Sequence, residues 1–343
     1  MPGLSPRVSV VLPFFNAVDT LHGAVASVRA QTFAAWELAL VDDGSTDGGG
    51  DLAAKLARED GRLRLVQQAN AGVAAAMNTG VAGARGEYVA RIDADDVMLP
   101  DRLARQVARL DRDPETGVLG CRVRFGGDVA RAEGYARYVA WTNTLLDDAS
   151  IRRNRFIEQP IVNPSVMFRR SLWELHGGCR EGDFPEDYEL WLRWLDAGVR
   201  FAKAPEELLI WNDPPQRLTR NHPRYSIDAF YRIKAAYLAR ELQRQDTENG
   251  HRTTYLWGAG KTTRQRAAFL EAEGIAFAGY IDIDPRKIGQ RIAGKPVLAP
   301  EGLPGPDKGV VIAMVGSRGA REKIRDWLQR AGYHETQDFW MAS

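Results

Sequence analysis

The sequence predicts a two-domain protein of the α/β fold class: a mostly parallel sheet flanked by helices, followed by a second, smaller α/β domain. Short apolar segments alternate with segments whose apolar residues recur at helical spacing, which is typical of a parallel sheet covered on both faces. The chain has 343 residues, of which 44% are hydrophobic, and this is enough for two cores. A polar stretch at 245–250 separates the two alternating regions.

The strands predicted in the first region are short, apolar and rich in β-branched residues. They lie at residues 8–13, 36–41, 63–66 and 88–92. The spacing of apolar residues predicts helices between them, at 17–30, 51–58 and 73–84. Pro100 suits the first turn of a helix, so a further helix is predicted to open at residues 99–103, directly after the last strand.

Polar loops follow three of these strands, at residues 13–16, 42–47 and 93–96. Because parallel strands end at one edge of a sheet, the loops are expected to converge where open α/β sheets bind ligands. The last loop holds Asp93, Asp95 and Asp96, and such hard oxygen ligands suit Mg²⁺ or Mn²⁺ carrying a phosphate-bearing ligand. A solvated acidic turn that caps the following helix is the alternative.

Charge and cysteine usage exclude several classes of protein. The formal net charge of +1 provides no overall field that would recruit nucleic acid, and none is expected as a partner. Cys121 and Cys179 stand in no metal or redox spacing, which predicts free thiols in a reducing compartment. The stretch Met1–Arg7 lacks the apolar core of a signal peptide, and no run of about 18 apolar residues follows. The predicted location is cytoplasmic, either in solution or peripheral to the inner face of the membrane.

Ordered motifs carry a resemblance to a known family. They are VSVVLPFFN at 8–16, QTF at 31–33, VDDGSTD at 41–47, NAG at 70–72 with Asn78, and ARIDADD at 90–96. This set closely resembles the family 2 glycosyltransferases, which have the GT-A fold, and the resemblance covers residues 7–213. It implies an inverting enzyme that moves a sugar from a nucleotide-sugar donor, a UDP-sugar by preference, to a hydroxyl of a saccharide or lipid-linked acceptor. Polysaccharide or surface glycan synthesis is the process that this activity would serve.

The resemblance also implies donor and metal residues. Pro13 and Asn16 would flank the base and ribose, and Asp42 would contact the base. A divalent cation, Mn²⁺ or Mg²⁺, would be held by Asp93 and Asp95. The residues implied for donor binding are Pro13, Phe15, Asn16, Asp42, Ser45, Asn70, Gly72, Asn78, Arg91, Asp93 and Ala94.

The acceptor half of the site is predicted at residues 185–193, a helix whose first turn holds Glu186 and Asp187. Acids at a helix N-terminus also complement the helix dipole, and that is the structural alternative. The resemblance implies that Asp187 is the catalytic general base, since inverting displacement requires a carboxylate within hydrogen-bond reach of the acceptor hydroxyl. Glu186 is the second candidate, and Trp191 is predicted to lie near the acceptor or the diphosphate.

A proline-broken basic segment follows at 214–225 and is predicted to form a loop over the site. Its Arg217 and Arg220 either pair with the donor diphosphate, which guanidinium groups bind bidentately, or form solvated surface. The helix predicted from residue 227 carries aromatic and basic residues. It either lies on a membrane surface or packs against the first domain. The predicted boundaries are therefore a transferase domain at 1–223 and a connecting helix and linker at 224–250.

Residues 251–343 are predicted to form a small Rossmann-like domain. Its first strand runs into Gly258-Ala259-Gly260, and Asp282 follows the next strand about 20 residues later, as in the first part of a dinucleotide fingerprint. Thr263 occupies the place of the third glycine. A bound nucleotide, a docked partner and simple packing all stay open as roles for this domain.

Two alternatives to a glycosyltransferase stay open on the sequence: a sugar nucleotidyltransferase, and a non-catalytic protein that binds a nucleotide-sugar. A nucleotidyltransferase would want a glycine- and arginine-rich phosphate loop after its first strand, where this chain has Phe14, Phe15 and Asn16. The intact acidic residues, among them Asp95 and Asp187, favour an active enzyme over a decayed one. The sequence leaves the oligomeric state open.

Overall fold

The computed structural model of this protein describes residues 5–215 and 217–343. Residues 1–4, from the stretch predicted to lack a signal peptide, and Gln216, from the predicted basic loop, lie outside the described residues. The chain divides into two compact units, Met1–Ile151 with Ile161–His222, and Arg152–Pro160 with Pro223–Ser343. In the part of the chain that the structure describes, no helix combines the length and apolarity needed to span a membrane.

Up to His222, strands and helices alternate in the order that the apolar pattern predicts for the first hundred residues. The elements are β1 (Val8–Phe14), α1 (Val18–Arg29), β2 (Trp36–Asp42), α2 (Gly49–Glu59), β3 (Leu63–Gln67), α3 (Val73–Ala82), β4 (Tyr88–Arg91), β5 (Val97–Met98), α4 (Arg102–Arg112), β6 (Thr116–Phe125), α5 (Glu133–Thr142), α6 (Asp148–Asn154), β7 (Met167–Arg169), α7 (Arg170–His176), α8 (Glu186–Asp196), β8 (Arg200–Trp211) and α9 (Leu218–Asn221). A 3-10 turn at Asn163–Ser165 precedes β7.

An eight-stranded sheet, in the order β3-β2-β1-β4-β7-β6-β8-β5, forms the centre of the first unit. Strand β1 pairs in parallel with β2 and β4, and β2 pairs in parallel with β3. The exits of β1, β2 and β4 therefore lie at one edge, as predicted. Beyond β4 the directions mix, because β7 runs antiparallel to β4 and β6 while β6 and β8 run parallel.

The connection after Asp96 differs from the prediction. The chain does not pass directly into a helix; it first forms β5, which pairs antiparallel with the end of β8. Helix α4 then begins at Arg102, so Pro100 precedes the helix and does not open it. Strands β5 and β8 are far apart in sequence, so a local pattern of residues cannot reveal their pairing.

Strand β1 is buried on both faces. Val8, Val10 and Leu12 belong to one apolar cluster, whereas Val11 belongs to a second cluster. Successive side chains of a strand face opposite sides of the sheet, so the two clusters are the cores on its two faces. Helices on both sides make the strand continuously apolar, which is why its sequence lacks the alternation of a half-exposed strand.

The second unit contains a 3-10 turn at Pro223–Tyr225 and, after it, a separate sheet with its own helices. Its elements are α10 (Ile227–Asn249), β9 (Thr253–Trp257), α11 (Lys261–Ala272), β10 (Phe277–Ile281), β11 (Arg291–Ile292), β12 (Lys295–Leu298), β13 (Gly309–Ala313), α12 (Ala320–Arg330) and β14 (Phe339–Met341). The strand order is β11-β12-β10-β9-β13-β14. All neighbouring pairs are parallel except β11 with β12.

The glycine turn after β9 is closely packed. Gly258 has φ +113°, and a Cβ atom there would lie 2.9 Å from side-chain atoms of Thr263 and Val315. The carboxylate of Asp282 accepts a hydrogen bond from the Ala259 N–H at 3.0 Å and pairs with Lys287 Nζ at 3.0 Å. The acid of the partial fingerprint is therefore engaged by groups of the protein itself.

Helix α10 packs within the second unit. It contacts α11, and Arg232 lies over the ring of Phe269, 5.9 Å from its centroid. The Tyr231 hydroxyl donates to Ser343 Oγ at 3.0 Å. The helix predicted as a connector thus groups with the C-terminal sheet.

Replacing two glycines inside helices by alanine is expected to have opposite effects on the free energy of unfolding. A Cβ atom on Gly80 of α3 would lie 2.3 Å from Val11 Cγ1, whereas one on Gly23 of α1 would meet nothing within 4 Å. We expect Gly80→Ala to lower the free energy of unfolding by about 1–3 kcal/mol through overpacking. Gly23→Ala should raise it by about 0.5–1 kcal/mol, since alanine loses less backbone entropy. Chemical denaturation of both variants measures this, and a Gly80→Ala variant as stabilised as Gly23→Ala would contradict the packing.

Candidate active site

Three carboxylates stand together where β4 ends. One oxygen from each of Asp93, Asp95 and Asp96 lies within 4.8 Å of the others. Asp93 and Asp95 are half-buried and Asp96 is fully buried. Oxygen ligands this close can share one hard divalent cation. The donor set therefore fits the predicted metal site at this edge of the sheet.

The charges of this cluster are poorly compensated within the protein. Burial, and then the neighbouring charge of Asp93, raise the pKa of the Asp95 carboxyl to about 6. Burial and the charges of Asp95 and Asp93 also raise the pKa of Asp96 well above its ordinary value. Among the described residues, Asp96 Oδ2 has no hydrogen-bond partner. A bound cation would relieve this crowding, because it supplies the opposite charge that the site lacks.

Arg91, at the end of β4, is the buried cation beside the cluster. Its Nε donates to Asp93 Oδ1 at 2.9 Å. Burial opposes the charge of Arg91, but Asp93, Glu186 and Asp187 together raise its pKa above the usual value. The same guanidinium is thus within electrostatic reach of the acidic cluster and of the two acids that open α8. It links the predicted donor half of the site to the predicted acceptor half.

Arg217 approaches the cluster from the segment after β8. Its guanidinium lies over the ring of Trp211, 3.8 Å from the centroid, and donates to the Asn212 carbonyl at 2.8 Å. The positive charge of Arg217 opposes the rise in the pKa of Asp95, so it lies within electrostatic reach of that carboxylate. Arg220 instead donates to Asp213 Oδ2 at 2.6 Å. Both arginines pair with Asp213, and the charge of Arg217 also acts on Asp95.

The loops after β1 and β2 hold each other in place. The Asn16 N–H donates to Ser45 Oγ at 3.0 Å, and the Thr46 N–H donates to Asn16 Oδ1 at 2.8 Å. Asn16 adopts φ +49°, a left-handed conformation that asparagine tolerates better than most residues. Phe15, beside it, is 49% exposed. The polar groups predicted to bind a base and ribose therefore share one edge of the sheet.

The first two carboxylates of the acidic loop after β2 have different roles. Asp42 Oδ1 accepts from the Ser45 N–H at 2.9 Å, which closes its own loop. Asp43, which the sequence analysis did not single out, accepts from the N–H groups of Ala71 and Gly72 at 2.9 and 2.8 Å. It therefore fixes the turn that begins α3. Its own carbonyl also accepts from Asn70 Nδ2 at 3.0 Å, so the amide of this predicted donor residue is engaged in that turn.

Asn78 and Trp191 occupy structural positions. The side-chain amide of Asn78 donates to the carbonyl of Cys179 and accepts from its N–H, both at 2.9 Å. Trp191 is 2% exposed, and its ring packs 5.9 Å from that of Phe201 and 5.6 Å from that of Trp194. This burial speaks against the predicted placement of Trp191 near the acceptor or the diphosphate, because little of the ring is open to a ligand.

The two acids at the start of α8 differ in access. Glu186 is 3% exposed, whereas Asp187 is half-buried. Asp187 Oδ1 accepts from the N–H of Tyr188 at 2.8 Å, as expected for an acid at a helix N-terminus. Asp187 is therefore the more accessible of the two candidate bases. Asn212, which the sequence analysis missed because it belongs to no motif, contacts the acidic cluster directly: its Nδ2 donates to the Asp95 carbonyl at 2.7 Å.

A parallel half-sheet whose polar exits meet beside a cluster of carboxylates is the architecture of a nucleotide-dependent transferase of the GT-A type, and comparison with known proteins agrees. Residues 9–175 match the family model described as Glycosyl transferase family 2. The chain is 29% identical over 239 residues to the putative glycosyltransferase EpsE of Bacillus subtilis (strain 168), over 65% of this chain and 79% of EpsE. It is 26% identical to the uncharacterized glycosyltransferase EpsJ of the same strain, over 62% of this chain and 63% of EpsJ. The chain thus spans less than two thirds of EpsJ.

Solved structures show the same fold. The mannosyltransferase PcManGT from Pyrobaculum calidifontis, in complex with GDP-Man and Mn2+, superposes with a TM-score of 0.51 at 22% identity, over 79% of this chain and 70% of that one. S. aureus TarS 1-349, in complex with UDP-GlcNAc, superposes with a TM-score of 0.50 at 17% identity, over 70% of this chain and 73% of that one.

The match identifies residues 9–175 as a glycosyl transferase family 2 domain, and the chain has the GT-A fold of its structural neighbours. The match favours a glycosyltransferase over a nucleotidyltransferase.

Trp191 is buried and Phe15 is largely exposed, so replacing them should change the free energy of unfolding by different amounts. We expect Trp191→Ala to lower the free energy of unfolding by about 3–5 kcal/mol, because it removes a large ring from the core. Phe15→Ala should change it by less than about 0.5 kcal/mol, since that ring is largely exposed. Denaturant titration of the two variants provides the test. A stable Trp191→Ala protein would make Trp191 a candidate ligand contact again.

Proposed function

We propose that this protein is an inverting glycosyltransferase that moves a sugar from a nucleotide-sugar donor to a hydroxyl of a saccharide or lipid-linked acceptor, in the synthesis of a polysaccharide or surface glycan. The observation that carries the proposal is the carboxylate cluster at the end of β4, within 4.8 Å, beside the buried Arg91, which donates to Asp93. PcManGT was solved in complex with GDP-Man and TarS in complex with UDP-GlcNAc, and both ligands are nucleotide-sugars. The relative EpsE is itself a putative glycosyltransferase.

The donor would occupy the edge formed by the exits of β1, β2 and β4. Asn16 and Ser45 present polar groups there, and Asp42 is the candidate acceptor for a base N–H. Mn²⁺ or Mg²⁺ would be held by Asp93 and Asp95 and would neutralise the diphosphate of the leaving group. Arg217 is placed to add a second positive charge on the same side, since guanidinium groups bind phosphate oxygens. A UDP-sugar is the donor that we favour.

Transfer would proceed by displacement at the anomeric carbon. The Asp187 carboxylate takes the proton of the acceptor hydroxyl as its oxygen forms a bond to that carbon. The bond from the carbon to the diphosphate breaks with its electron pair, and the nucleoside diphosphate leaves. Attack opposite the departing group inverts the anomeric configuration. Glu186 is almost completely buried, which supports Asp187 as the base.

Residues 1–223 and 251–343 are proposed as the transferase domain and a C-terminal Rossmann-like domain, joined by residues 224–250. The structure groups Arg152–Pro160 and Pro223–Ser343 into one compact unit. We leave the ligand of the C-terminal domain unassigned because the Asp282 carboxylate is already paired with Ala259 and Lys287.

The cation assignment predicts a loss of binding without a loss of folding. Asp95→Ala should abolish Mn²⁺-dependent binding of the nucleotide-sugar, because it removes a ligand of the cation. It should not lower the melting temperature of the metal-free protein, since Asp95 sits where burial and Asp93 disfavour its charge. Thermal shift with a panel of nucleotide-sugars, with and without Mn²⁺, measures both effects. Asp51→Ala replaces an exposed acid on α2 and is the matched control. Mn²⁺-dependent binding that survives in Asp95→Ala would refute the assignment of Asp95 as a ligand of the cation.

The general-base assignment predicts a loss of turnover alone. Asp187→Asn keeps the shape of the side chain and its ability to accept a hydrogen bond, but it cannot accept the proton. We expect unchanged donor binding, a melting temperature close to that of wild type, and a rate at least about a hundredfold lower. Nucleoside diphosphate release in the presence of acceptor measures the rate. Asp183→Asn replaces an exposed acid just before α8 and serves as the control. Near wild-type transfer by Asp187→Asn would leave Asp187 only a helix-capping role, and Glu186 would then be the next residue to test.

A further inference from the structure

Asn212 connects the acidic cluster to Arg217 through three hydrogen bonds. Its side-chain Nδ2 donates to the carbonyl of Asp95 at 2.7 Å, and its backbone N–H donates to Asp96 Oδ1 at 2.9 Å. Its backbone carbonyl accepts from Arg217 at 2.8 Å. One residue therefore contacts two of the three cluster residues and Arg217.

The sheet explains why Asn212 reaches this position. Strand β5, which follows the acidic loop directly, pairs with β8 in the register Val97 to Ile210. Asn212 follows the end of β8 at Trp211. Because the two strands run antiparallel, the residues just before β5 lie beside the residues just after β8. The register thus brings Asn212 against the backbone of the acidic loop.

Gly126 leaves the space that the Asn212 side chain occupies. A Cβ atom on Gly126 would lie 2.1 Å from Asn212 Oδ1 and 2.9 Å from Ile210 Cγ2. The N–H of Gly126 donates to the Trp211 carbonyl at 2.8 Å, so its backbone cannot easily withdraw. The amide of Asn212 is therefore oriented by its neighbours as well as by its own hydrogen bond.

The hydrogen bonds of Asn212 restrain the geometry of the candidate cation site. Asp96 is 1% exposed, and the hydrogen bond from Asn212 fixes one of its oxygens while Oδ2 has no partner among the described residues. The bond to the Asp95 carbonyl restrains the backbone from which the Asp95 carboxylate extends. Groups that hold metal ligands in this way typically change metal affinity by about 10–100-fold when they are removed.

We propose that Asn212 is a positioning residue: it holds the loop of Asp93–Asp96 in the geometry that binds a divalent cation and keeps Arg217 beside it. This role rests on the cation site of the proposed function. It deepens that function by assigning the orientation of the loop to a residue that is not one of the three carboxylates of the cluster.

The test compares Asn212→Ala with Asn143→Ala. Asn143 is also half-buried, and its amide bridges the N–H and the carbonyl of Val123 at 2.9 and 2.8 Å. Asn143→Ala therefore removes two side-chain hydrogen bonds in the same unit, whereas Asn212→Ala removes one, to the Asp95 carbonyl, and keeps the backbone contacts of residue 212. Binding of Mn²⁺ is followed by electron paramagnetic resonance, with the metal alone and with UDP or GDP. We expect Asn212→Ala to raise the Mn²⁺ concentration at half-saturation by at least about tenfold, with recovery of binding at high Mn²⁺, and Asn143→Ala to leave it within about twofold.

A second variant covers the case in which Asn212→Ala does not fold. Gly126→Ala leaves Asn212 in the chain but displaces its Oδ1, and it should raise the same Mn²⁺ concentration. Half-saturation within about twofold of wild type in every folded variant at 212 and 126 would overturn the positioning role while leaving the cation site in place. An equal loss in Asn143→Ala would also overturn it, because the effect would then be general. A wild-type protein that binds no Mn²⁺ under any of these conditions would overturn the proposed cation site, and the positioning role with it.

Discussion

Negative charge at the exit of β4 is the constraint around which the first unit is arranged. Asp93, Asp95 and Asp96 are brought within 4.8 Å of one another at the end of a strand that is itself buried. Burial disfavours each charge and proximity disfavours it further, which raises the pKa of Asp95 and of Asp96. Protein groups supply only part of the compensation. Crowded and partly buried carboxylates of this kind favour the binding of a cation, because it supplies opposite charge.

The groups that partly compensate the negative charge of the acidic cluster come from three separate parts of the fold. Arg91 arrives from β4 itself and pairs with Asp93. Arg217 arrives from the segment after β8 and is oriented by Trp211. Asn212 contributes no charge, but it binds both the backbone and a carboxylate of the acidic loop. Because these groups come from distant stretches of the chain, the electrostatics of the site depend on the pairing of β5 with β8 and not on the acidic motif alone.

Much of the fold could be predicted, because its N-terminal half consists of local patterns. Apolar runs such as residues 8–14 and acids at strand exits are visible without coordinates, and the parallel order of β1, β2 and β4 follows from the alternation with helices. The predictions failed where pairing is long-range. Strand β5 is two residues long and has no pattern of its own, and Trp191 belongs to a helix whose buried face only packing reveals. The family motifs identified the loops of the site, but no role was assigned to Asp43, and Asn212 belongs to no motif, although both position those loops.

The sequence by itself determined the fold class, the edge of the sheet where the site lies, and the acidic residues that define it, because strand exits and carboxylates are local properties of a chain. Only the tertiary structure decided how these residues are used. It buried Glu186 and left Asp187 more accessible, and it bonded Asn78 to Cys179. It also placed Arg217 against Trp211 and Asn212, and Asn212 against the acidic loop. Each of these outcomes depends on contacts between residues far apart in sequence. A site becomes buried only when these residues pack together, and only then does it cost free energy to place a charge there.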